Sequence, residues 1–156
     1  MAAAFGNSVY GIKWHETGNY LLVSGDDAGA GAGNARIRMY SFATTPSLTE
    51  ITACRNSLGG TGNANAIAWG VGGDNYFAVG LSGGGVGLKV FYFDGATIIE
   101  KQSITPMTAN IYGIEISKSK KMLLVGGFST GDHSKLYKIG SAGALTEVGT
   151  KNNFAN

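Results

Sequence analysis

Two pairs of side chains in this sequence could do acid–base or metal chemistry, and both stand among small and polar residues. Asp132 and His133 place a carboxylate beside an imidazole, the residue types of a general base or of a metal site. Neighbouring residues on a loop share a site only where the backbone turns, and the other histidine, His15, stands in a different predicted turn. We therefore interpret the pair as a local turn in which Asp132 accepts hydrogen bonds from the backbone, and we expect no catalysis there.

Asp26 and Asp27 begin a run of glycines and alanines that ends at Asn34. Such a run could cradle a phosphate, but no Lys-Ser or Lys-Thr follows the glycines and no helix is predicted to begin there. Two adjacent aspartates also supply too few oxygen ligands for calcium unless another part of the chain contributes. We interpret the run as an exposed loop, and we predict no metal site and no bound cofactor.

The remaining candidates are clustered charges and one thiol. Lys118, Lys120 and Lys121 form the densest charge cluster, which we interpret as a solvated turn in preference to an anion-binding patch. The net charge is +2 and no basic run is dense enough to follow phosphates, so we expect no nucleic-acid partner. The single cysteine, Cys54, cannot form a disulfide within the chain, and a buried, inert thiol is expected.

The composition is typical of a chain with many tight turns. Of 156 residues, 26 are glycine and 2 are proline, while 44% are hydrophobic, which is enough for a real core. The amino-terminal residues lack the basic and apolar regions of a signal peptide, and no apolar run reaches the ~18 residues of a membrane span. We therefore expect a cytoplasmic protein with no membrane partner.

Three consecutive segments repeat one pattern of four short runs rich in β-branched and aromatic residues. No stretch keeps a helical apolar period, and four strands every ~45–50 residues is the period of a β-propeller. The pattern predicts an all-β domain, residues 1–156, of three four-stranded antiparallel meanders, or blades, at about residues 8–52, 63–102 and 110–149. The predicted strands are 9–14, 20–25, 37–42 and 48–51; 64–69, 76–80, 88–93 and 97–100; and 111–116, 122–126, 135–139 and 145–148.

The first strand of each segment alternates between bulky and small side chains, so each sheet should have one bulky face and one mostly small face. Stacking such sheets around an axis sets bulky side chains over small ones. Aromatic side chains at repeat-equivalent positions therefore indicate core packing in preference to a sugar-stacking platform. We predict a core that includes Ile12, Trp14, Leu22, Ile67, Trp69, Val79, Ile114, Ile116, Leu124 and Val125.

The stretch VYGIKWHETGNYLLVSGDD…ARIRMYSF resembles the WD-repeat propeller family: a hydrophobic strand, a Gly-Asn turn, a strand ending in Ser-Gly, and a strand ending in aromatic, polar and apolar residues. The resemblance covers nearly the whole chain and implies a protein-binding propeller. Tyr40, Phe91 and Tyr137 stand where that family has tryptophan, its following aspartate is replaced, and its Gly-His pair is missing from every blade. The family's buried hydrogen-bond network is therefore not expected, and a lactonase-like or other short-strand propeller is the alternative.

Three blades span too little of a circle to close a ring, since natural propellers have four to eight. The tripeptides at 5–7 and 154–156, Phe-Gly-Asn and Phe-Ala-Asn, look like the same position of the repeat. One copy could therefore continue into a second, which predicts a six-bladed homodimer. The alternative is that the chain is a segment of a longer propeller that supplies the remaining blades.

The long loops should emerge on one face of the ring, where function usually resides on such a scaffold. We predict a non-enzymatic scaffold that binds a protein or peptide through this face. The alternatives are a carbohydrate-binding propeller or an enzyme with its site at the channel mouth, or a purely structural assembly unit. The candidate ligand-binding residues are Ser8, Asn63 and Asn110 at the channel mouth, with Asp26, Asp27, Asp132 and His133 on the loops.

Overall fold

The computed structural model shows an all-β chain with three four-stranded antiparallel sheets, which confirms the predicted fold class. In each sheet the strands are hydrogen-bonded in sequence order, so each is a simple meander. The structure describes residues 8–26, 36–42, 47–56, 58–59, 62–83, 87–106, 110–128 and 133–151. Within these ranges the helices are two short 3-10 turns, Thr52–Cys54 and Ser141–Gly143, and none is long and apolar enough to span a membrane.

The strands follow the predicted runs closely, with the later strands somewhat longer than expected. Blade 1 contains β1 (Val9–Trp14), β2 (Tyr20–Gly25), β3 (Ile37–Phe42) and β4 (Leu48–Glu50). Blade 2 contains β5 (Asn63–Trp69), β6 (Tyr76–Ser82), β7 (Leu88–Phe93) and β8 (Ile98–Ile104). Blade 3 contains β9 (Asn110–Ser117), β10 (Met122–Phe128), β11 (Ser134–Ile139) and β12 (Leu145–Lys151).

The inner strands β1, β5 and β9 each carry a bulge at the same position of the repeat. Tyr10, Asn65 and Tyr112 are the extra residues, since the pairing register shifts across each of them. A bulge bends a strand and re-aims the side chains around it. The three inner strands are therefore bent at the same height along the propeller axis.

The two faces of each blade pack in different ways. We call the side that carries Ile67, Trp69 and Phe77 in blade 2 the bulky face, and the opposite side the receiving face. The bulky face of blade 2 packs on the receiving face of blade 1, and the buried side chains of this contact include Ile67, Phe77, Val79, Phe91, Leu22, Ile37 and Met39. The bulky face of blade 3 packs in the same way on blade 2, with Ile114, Leu123, Val125 and Tyr137 against Ala66, Ala78, Leu88 and Val90. The bulky-on-small stacking predicted from the sequence therefore occurs twice.

Small residues on the receiving faces make room for isoleucines of the next blade. A Cβ added to Gly11 of blade 1 would lie 2.9 Å from Cγ1 of Ile67, and one added to Gly80 of blade 2 would overlap Ile111. Such contacts are closer than real carbon atoms allow, so glycine is required at both places for the blades to meet.

The predicted core is buried where a neighbouring blade covers it and exposed where none does. Leu22, Ile67, Val79, Ile114 and Val125 are buried, while Trp69 and Ile116 are partly buried. The prediction was wrong for three residues, because Ile12, Trp14 and Leu124 are 57%, 51% and 47% exposed. Ile12 and Trp14 lie on the bulky face of blade 1, and Leu124 lies on the receiving face of blade 3. Among the residues that the structure describes, no other blade packs on either face.

One ion pair recurs in every blade between the third and fourth strands. Arg38 lies 3.7 Å from Glu50 in blade 1, Lys89 lies 2.6 Å from Glu100 in blade 2, and Lys135 lies 3.2 Å from Glu147 in blade 3. In each case the glutamate is paired across the ladder with the residue two positions after the basic one. Each pair joins the outer strand to its neighbour.

Candidate functional site

The channel-mouth candidates lie at or just before the start of the inner strands, on the long-loop side of the propeller. Asn110 makes two hydrogen bonds there: its Oδ1 accepts from the backbone N–H of Gly83 at 2.8 Å, and its Nδ2 donates to the Tyr112 hydroxyl at 3.0 Å. The first of these bonds ties blade 3 to the loop that follows β6. Asn110 therefore holds two blades together at the place where ligand binding was predicted.

The other candidate residues occupy separate places on the same side of the propeller. Ser8 is exposed, and its carbonyl accepts a hydrogen bond from the backbone N–H of Asp26 at 2.9 Å. Asn63 is partly buried opposite Ser82 across the ladder. His133 is partly buried at the start of β11, and its carbonyl accepts from Gly127. Asp26 and His133 thus belong to different blades and to different positions of the repeat.

Asp27 and Asp132 lie outside the described residues. The interpretation of Asp132 and His133 as a backbone-bonded turn therefore stays a prediction. Among the described residues, no group of three or more His, Cys, Asp or Glu side chains is placed to hold a metal ion.

An exposed aromatic patch lies beside Asn110, and sequence reasoning missed it. Phe128, at the end of β10, is 62% exposed, and Tyr112, in the bulge of β9, is 59% exposed. Phe128 pairs with Asn110 across the ladder, and Tyr112 is hydrogen-bonded to the Asn110 amide. We call Asn110, Tyr112 and Phe128 the aromatic patch. The sequence did contain a signal for this patch, because Phe128 is apolar at a repeat position where the other two blades carry the polar residues Asp26 and Ser82.

On the opposite side of the propeller the three short turns converge around a depression of about 360 Å³. The charged side chains of its rim come from all three blades: Lys13 and Glu16 from blade 1, Asp74 from blade 2, and Glu115 and Lys118 from blade 3. Lys118 Nζ lies 2.5 Å from Glu16 Oε2, so the ion pair joins the first and third blades. The walls include Trp14, Trp69, Ala68, Ile114 and Ile116.

The carboxyl groups of Glu16 and Asp74 both have shifted pKa values. The hydrogen bond from Lys118 holds the pKa of Glu16 below its ordinary value. A hydrogen bond with Glu16, and the repulsion between the two carboxylates, raise the pKa of Asp74. All three side chains are exposed, so water screens these effects. Lys118 therefore binds Glu16, and Glu16 in turn contacts Asp74.

The alignment of the repeats contained a signal for this rim. Turns 15–19, 70–75 and 117–120 occupy one slot of the repeat, and Glu16, Asp74 and Lys118 each belong to one of them. Of the lysine cluster, Lys118 is paired with Glu16, while Lys120 and Lys121 are exposed, as a solvated turn predicts. A groove of about 430 Å³ beside the rim is lined by Lys118, Lys121 and Lys138, so the basic side chains gather there.

His15 and Cys54 are buried groups with packing roles. The backbone N–H of Thr17 donates to His15 Nδ1 at 3.2 Å, and the ring makes edge-to-face contacts with Tyr20 and Trp69 between blades 1 and 2. Cys54 is 1% exposed, with its Sγ 3.4 Å from the carbonyl oxygen of Ala96. Burial raises the pKa of the Cys54 thiol to about 11, so the thiol is protonated at neutral pH. The prediction of a buried thiol is confirmed.

Comparison with known proteins finds similarity in structure only, because no protein-family model and no curated protein sequence matches the chain. A candidate 6-phosphogluconolactonase from Bacteroides uniformis aligns with a TM-score of 0.73 and 16% identity, over 93% of this chain and 41% of its own. The β-propeller domain of Cps50 (Swd1) from Myceliophteria thermophila aligns with a TM-score of 0.61 and 15% identity, over 85% and 38%. A chain of a mitotic checkpoint complex aligns with a TM-score of 0.63 and 14% identity, over 91% and 40%.

The similar structures include WD40 propeller domains as well as lactonase-like propellers, and all three are less than 25% identical to this chain. Similarity at this level carries the fold and no activity. The chain spans about two fifths of the length of the structures that it matches. The comparisons therefore show that the three blades form an arc of a β-propeller.

Proposed function

We propose that this chain is a non-enzymatic propeller unit that binds a protein or peptide partner through its long-loop side. The aromatic patch is the observation that carries the proposal. Tyr112 and Phe128 expose more than half of their surface beside the hydrogen-bonded amide of Asn110. Large aromatic side chains next to polar groups are the usual anchors of protein interfaces.

The backbone position of the patch supports the same function. Tyr112 and Phe128 stand on strands β9 and β10, so the sheet fixes their backbones before a partner arrives. The Asn110 amide further orients the Tyr112 hydroxyl. An anchor that is already ordered loses little conformational entropy on binding, which favours affinity. One of the similar structures is a chain of a mitotic checkpoint complex, and it therefore belongs to an assembly of proteins.

The test is a peptide library screened against the immobilised chain, followed by substitution of the patch. We expect Tyr112→Ala and Phe128→Ala each to weaken binding of a selected peptide by at least about tenfold, the loss of roughly 1.4 kcal/mol per anchor. Ile99→Ala is the matched control, since Ile99 is 46% exposed on the outer strand of blade 2. Peptides that bind the patch variants as well as they bind the original chain would contradict the proposal.

A carbohydrate or sugar-lactone ligand at the channel mouth is the second candidate, and the similarity to a candidate 6-phosphogluconolactonase favours it. Ser8, Asn63 and Asn110 carry hydroxyl and amide groups, which form hydrogen bonds with sugars. The engagement of Asn110 with Gly83 and Tyr112 weighs against it, because a ligand would have to compete with both bonds. Binding on a glycan array, or hydrolysis of 6-phosphogluconolactone, would favour this candidate over the peptide-binding scaffold.

Further blades complete the ring in this proposal, because two sheet faces of the chain carry large apolar side chains in water. The bulky face of blade 1 exposes Ile12 and Trp14, and the receiving face of blade 3 exposes Leu124. Exposed apolar sheet faces mark places of contact. A six-bladed homodimer and a longer chain with additional blades are the two ways to cover them.

A further inference from the structure

The two end faces of the chain match each other residue by residue. Ile12 of blade 1 stands at the repeat position of Ile67 and Ile114, which are 3% and 8% exposed, whereas Ile12 is 57% exposed. The difference lies only in whether a preceding blade is present. Blade 1 therefore presents the same isoleucine as the other two blades, without a receiving face to bury it.

The receiving face of blade 3 has open space where the other two blades receive an isoleucine. Gly113 and Gly126 stand at the positions of Gly11 and Ser24 in blade 1, and of Ala66 and Gly80 in blade 2. In blades 1 and 2 the space above Gly11 and Gly80 is filled by isoleucines of the next blade. A Cβ added to Gly113 or Gly126 would meet no atom of the described residues within 4 Å. Blade 3 thus has two glycines facing one another across the ladder and an empty socket above them.

The tryptophan beside each isoleucine adds a hydrogen bond that the end faces can also repeat. Trp69 Nε1 donates to the carbonyl oxygen of Lys13 in blade 1 at 3.2 Å. Trp14 is the repeat equivalent of Trp69, and Glu115 is the equivalent of Lys13 in blade 3. Trp14 is 51% exposed, with its ring edge-on to Phe42 at 5.7 Å between centroids. Its position matches that of a donor to the Glu115 carbonyl of a preceding blade.

We infer that the bulky face of blade 1 docks on the receiving face of blade 3 in a second copy of this chain, with Ile12 seated over Gly113 and Gly126 and the Trp14 indole donating to the Glu115 carbonyl. The contact continues the interface that the chain already forms twice between its own blades. This docking rests on the ring closure proposed above, and a second copy of the chain is what covers the two end faces. Two copies close a ring if each blade turns by about 60°, within the natural range of blade number.

The second copy would also complete the depression at the short-turn side. Its walls are the ends of the inner strands, including Trp14 and Ile116. In the closed ring the blade 1 end of each copy, with Trp14, lies beside the blade 3 end of the other copy, with Ile116. The site as seen in one chain is therefore half of a central channel.

The first experiment measures mass in solution by light scattering and by sedimentation at low micromolar concentration. We expect twice the mass of one chain, 16.1 kDa, unchanged on dilution. Gly126→Val should reduce this to one chain mass, since a Cβ at this position meets no described atom within 4 Å in the single chain, and the valine would fill the socket. Ser103→Val is the matched control, because Ser103 is exposed on a strand of the middle blade, away from both end faces.

A mixing experiment identifies the faces and does not depend on one variant. Trp14→Ala damages the bulky face and Gly126→Val damages the receiving face, so each variant alone should be monomeric. An equimolar mixture keeps one intact contact and should form a dimer with one copy of each. Circular dichroism and cooperative unfolding must show that both variants are folded.

Three outcomes would overturn the inference: a monomeric original chain, a Gly126→Val dimer as tight as the original, or a mass that grows continuously with concentration. The peptide measurements are separate from these. A monomeric chain that still binds peptide at the aromatic patch would contradict the docking of a second copy and support the proposed peptide binding. A dimer whose patch binds no peptide would support the docking and contradict the peptide binding.

Discussion

Trp14 and Trp69 occupy the same position of the repeat in different surroundings. Trp69 packs edge-on against His15 and Phe77, with ring centroids 4.9 and 5.0 Å apart, and its indole N–H donates to the Lys13 carbonyl. Trp14 contacts the ring of Phe42 and is otherwise half exposed. The position of a residue in the repeat therefore does not determine how much its side chain contributes to stability.

Substitution of the two tryptophans should separate these surroundings. We expect Trp69→Ala to lower the free energy of unfolding by about 3–5 kcal/mol, because it opens a large cavity between blades 1 and 2. Trp14→Ala should cost less than about 1.5 kcal/mol in a single chain, because only half of the indole is buried. Urea unfolding in the Gly126→Val background, in which the chain is expected to be monomeric, is the measurement. Equal costs would show that blade 1 is covered in that background.

Cys54 should resist alkylation in the folded chain. Its thiol is buried and its pKa is raised to about 11 by burial and, to a smaller extent, by Asp94, so the thiolate is scarce at pH 8. We expect iodoacetamide to label it only after unfolding, as followed by mass spectrometry. Labelling at the rate of a free thiol would contradict the buried position.

The same thiol should make stability fall with alkaline pH. Between pH 9 and 11 the unfolded chain loses the proton, near the ordinary thiol pKa of 9.0, while the folded chain keeps it. The free energy of unfolding should therefore fall over this range, by at most about 1.4 kcal/mol per pH unit for one group. Cys54→Ala should be less sensitive over the same range, and chemical denaturation of both proteins measures the difference.

Burial could be predicted from the sequence for residues between two blades and could not be for residues at the ends. Ile67 and Ile114 are buried as expected, whereas Ile12, with the same pattern around it, is exposed. Strand periodicity shows which side chains share a face, but not which face has a neighbour. The hydrogen bond between Asn110 and Gly83 could not be predicted either, since it joins two blades and no local sequence pattern contains it.

At the scale of strands, the ion pair between the third and fourth strands distinguishes the blades. Glu50 of blade 1 is 6% exposed and also receives a two-pronged contact from Arg55, at 2.7 and 2.8 Å. Glu100 and Glu147 are 43% and 42% exposed. Water screens the exposed pairs, while the pair in blade 1 is largely withdrawn from solvent.

Neutralising these glutamates should therefore have unequal effects. Glu50→Gln removes a buried charge that contacts both Arg38 and Arg55, and it should cost about 3 kcal/mol of stability. Glu147→Gln should cost less than about 1 kcal/mol, because the Glu147 carboxylate is 42% exposed and water screens its ion pair with Lys135. Thermal and urea unfolding of the two variants, compared at pH 7, would reveal the difference. Similar costs would mean that burial does not set the strength of the pair.

The close approach of β6 and β9 gives a second prediction at this scale. Gly80→Ala should destabilise the chain by about 1–3 kcal/mol, because its Cβ would overlap Ile111 in the next blade. Gly149→Ala is the control, since nothing lies within 4 Å of a Cβ there. Both are measured by urea unfolding, and a neutral Gly80→Ala would show that blades 2 and 3 can separate slightly without cost.

The strands themselves were largely predictable, with errors at their ends. β8 runs from Ile98 to Ile104 although only 97–100 was expected, because the polar stretch Lys101–Ser103 gives no apolar signal. That stretch is held by backbone pairing to β7 with a bulge at Lys101. Hydrogen bonds to a neighbouring strand extend an outer strand regardless of side-chain pattern, so the sequence alone did not show its length.

At the scale of the whole molecule, blade 2 is covered on both faces and the outer blades on one. The strands β6 and β7 are accordingly almost entirely buried, while β1 is almost entirely exposed. In the Gly126→Val variant we expect amide hydrogen exchange to be slowest in β6 and β7 and fastest in β1. In the original chain β1 and β10 should gain protection, because a second copy covers them. Mass-spectrometric exchange of both proteins tests this, and equal protection of β1 in the two would count against docking at that face.

The sequential meander of each blade has a consequence for how the chain folds. Every strand pairs with its neighbours in the sequence, so a blade can form from contacts between adjacent strands. Docking of one blade on the next comes afterwards and uses faces that are nearly alike in all three. During refolding, a bulky face can then reach the wrong receiving face, in its own chain or in another. Recovery of the native chain from denaturant should therefore decline steeply as concentration rises, while the rate at which individual blades form stays the same.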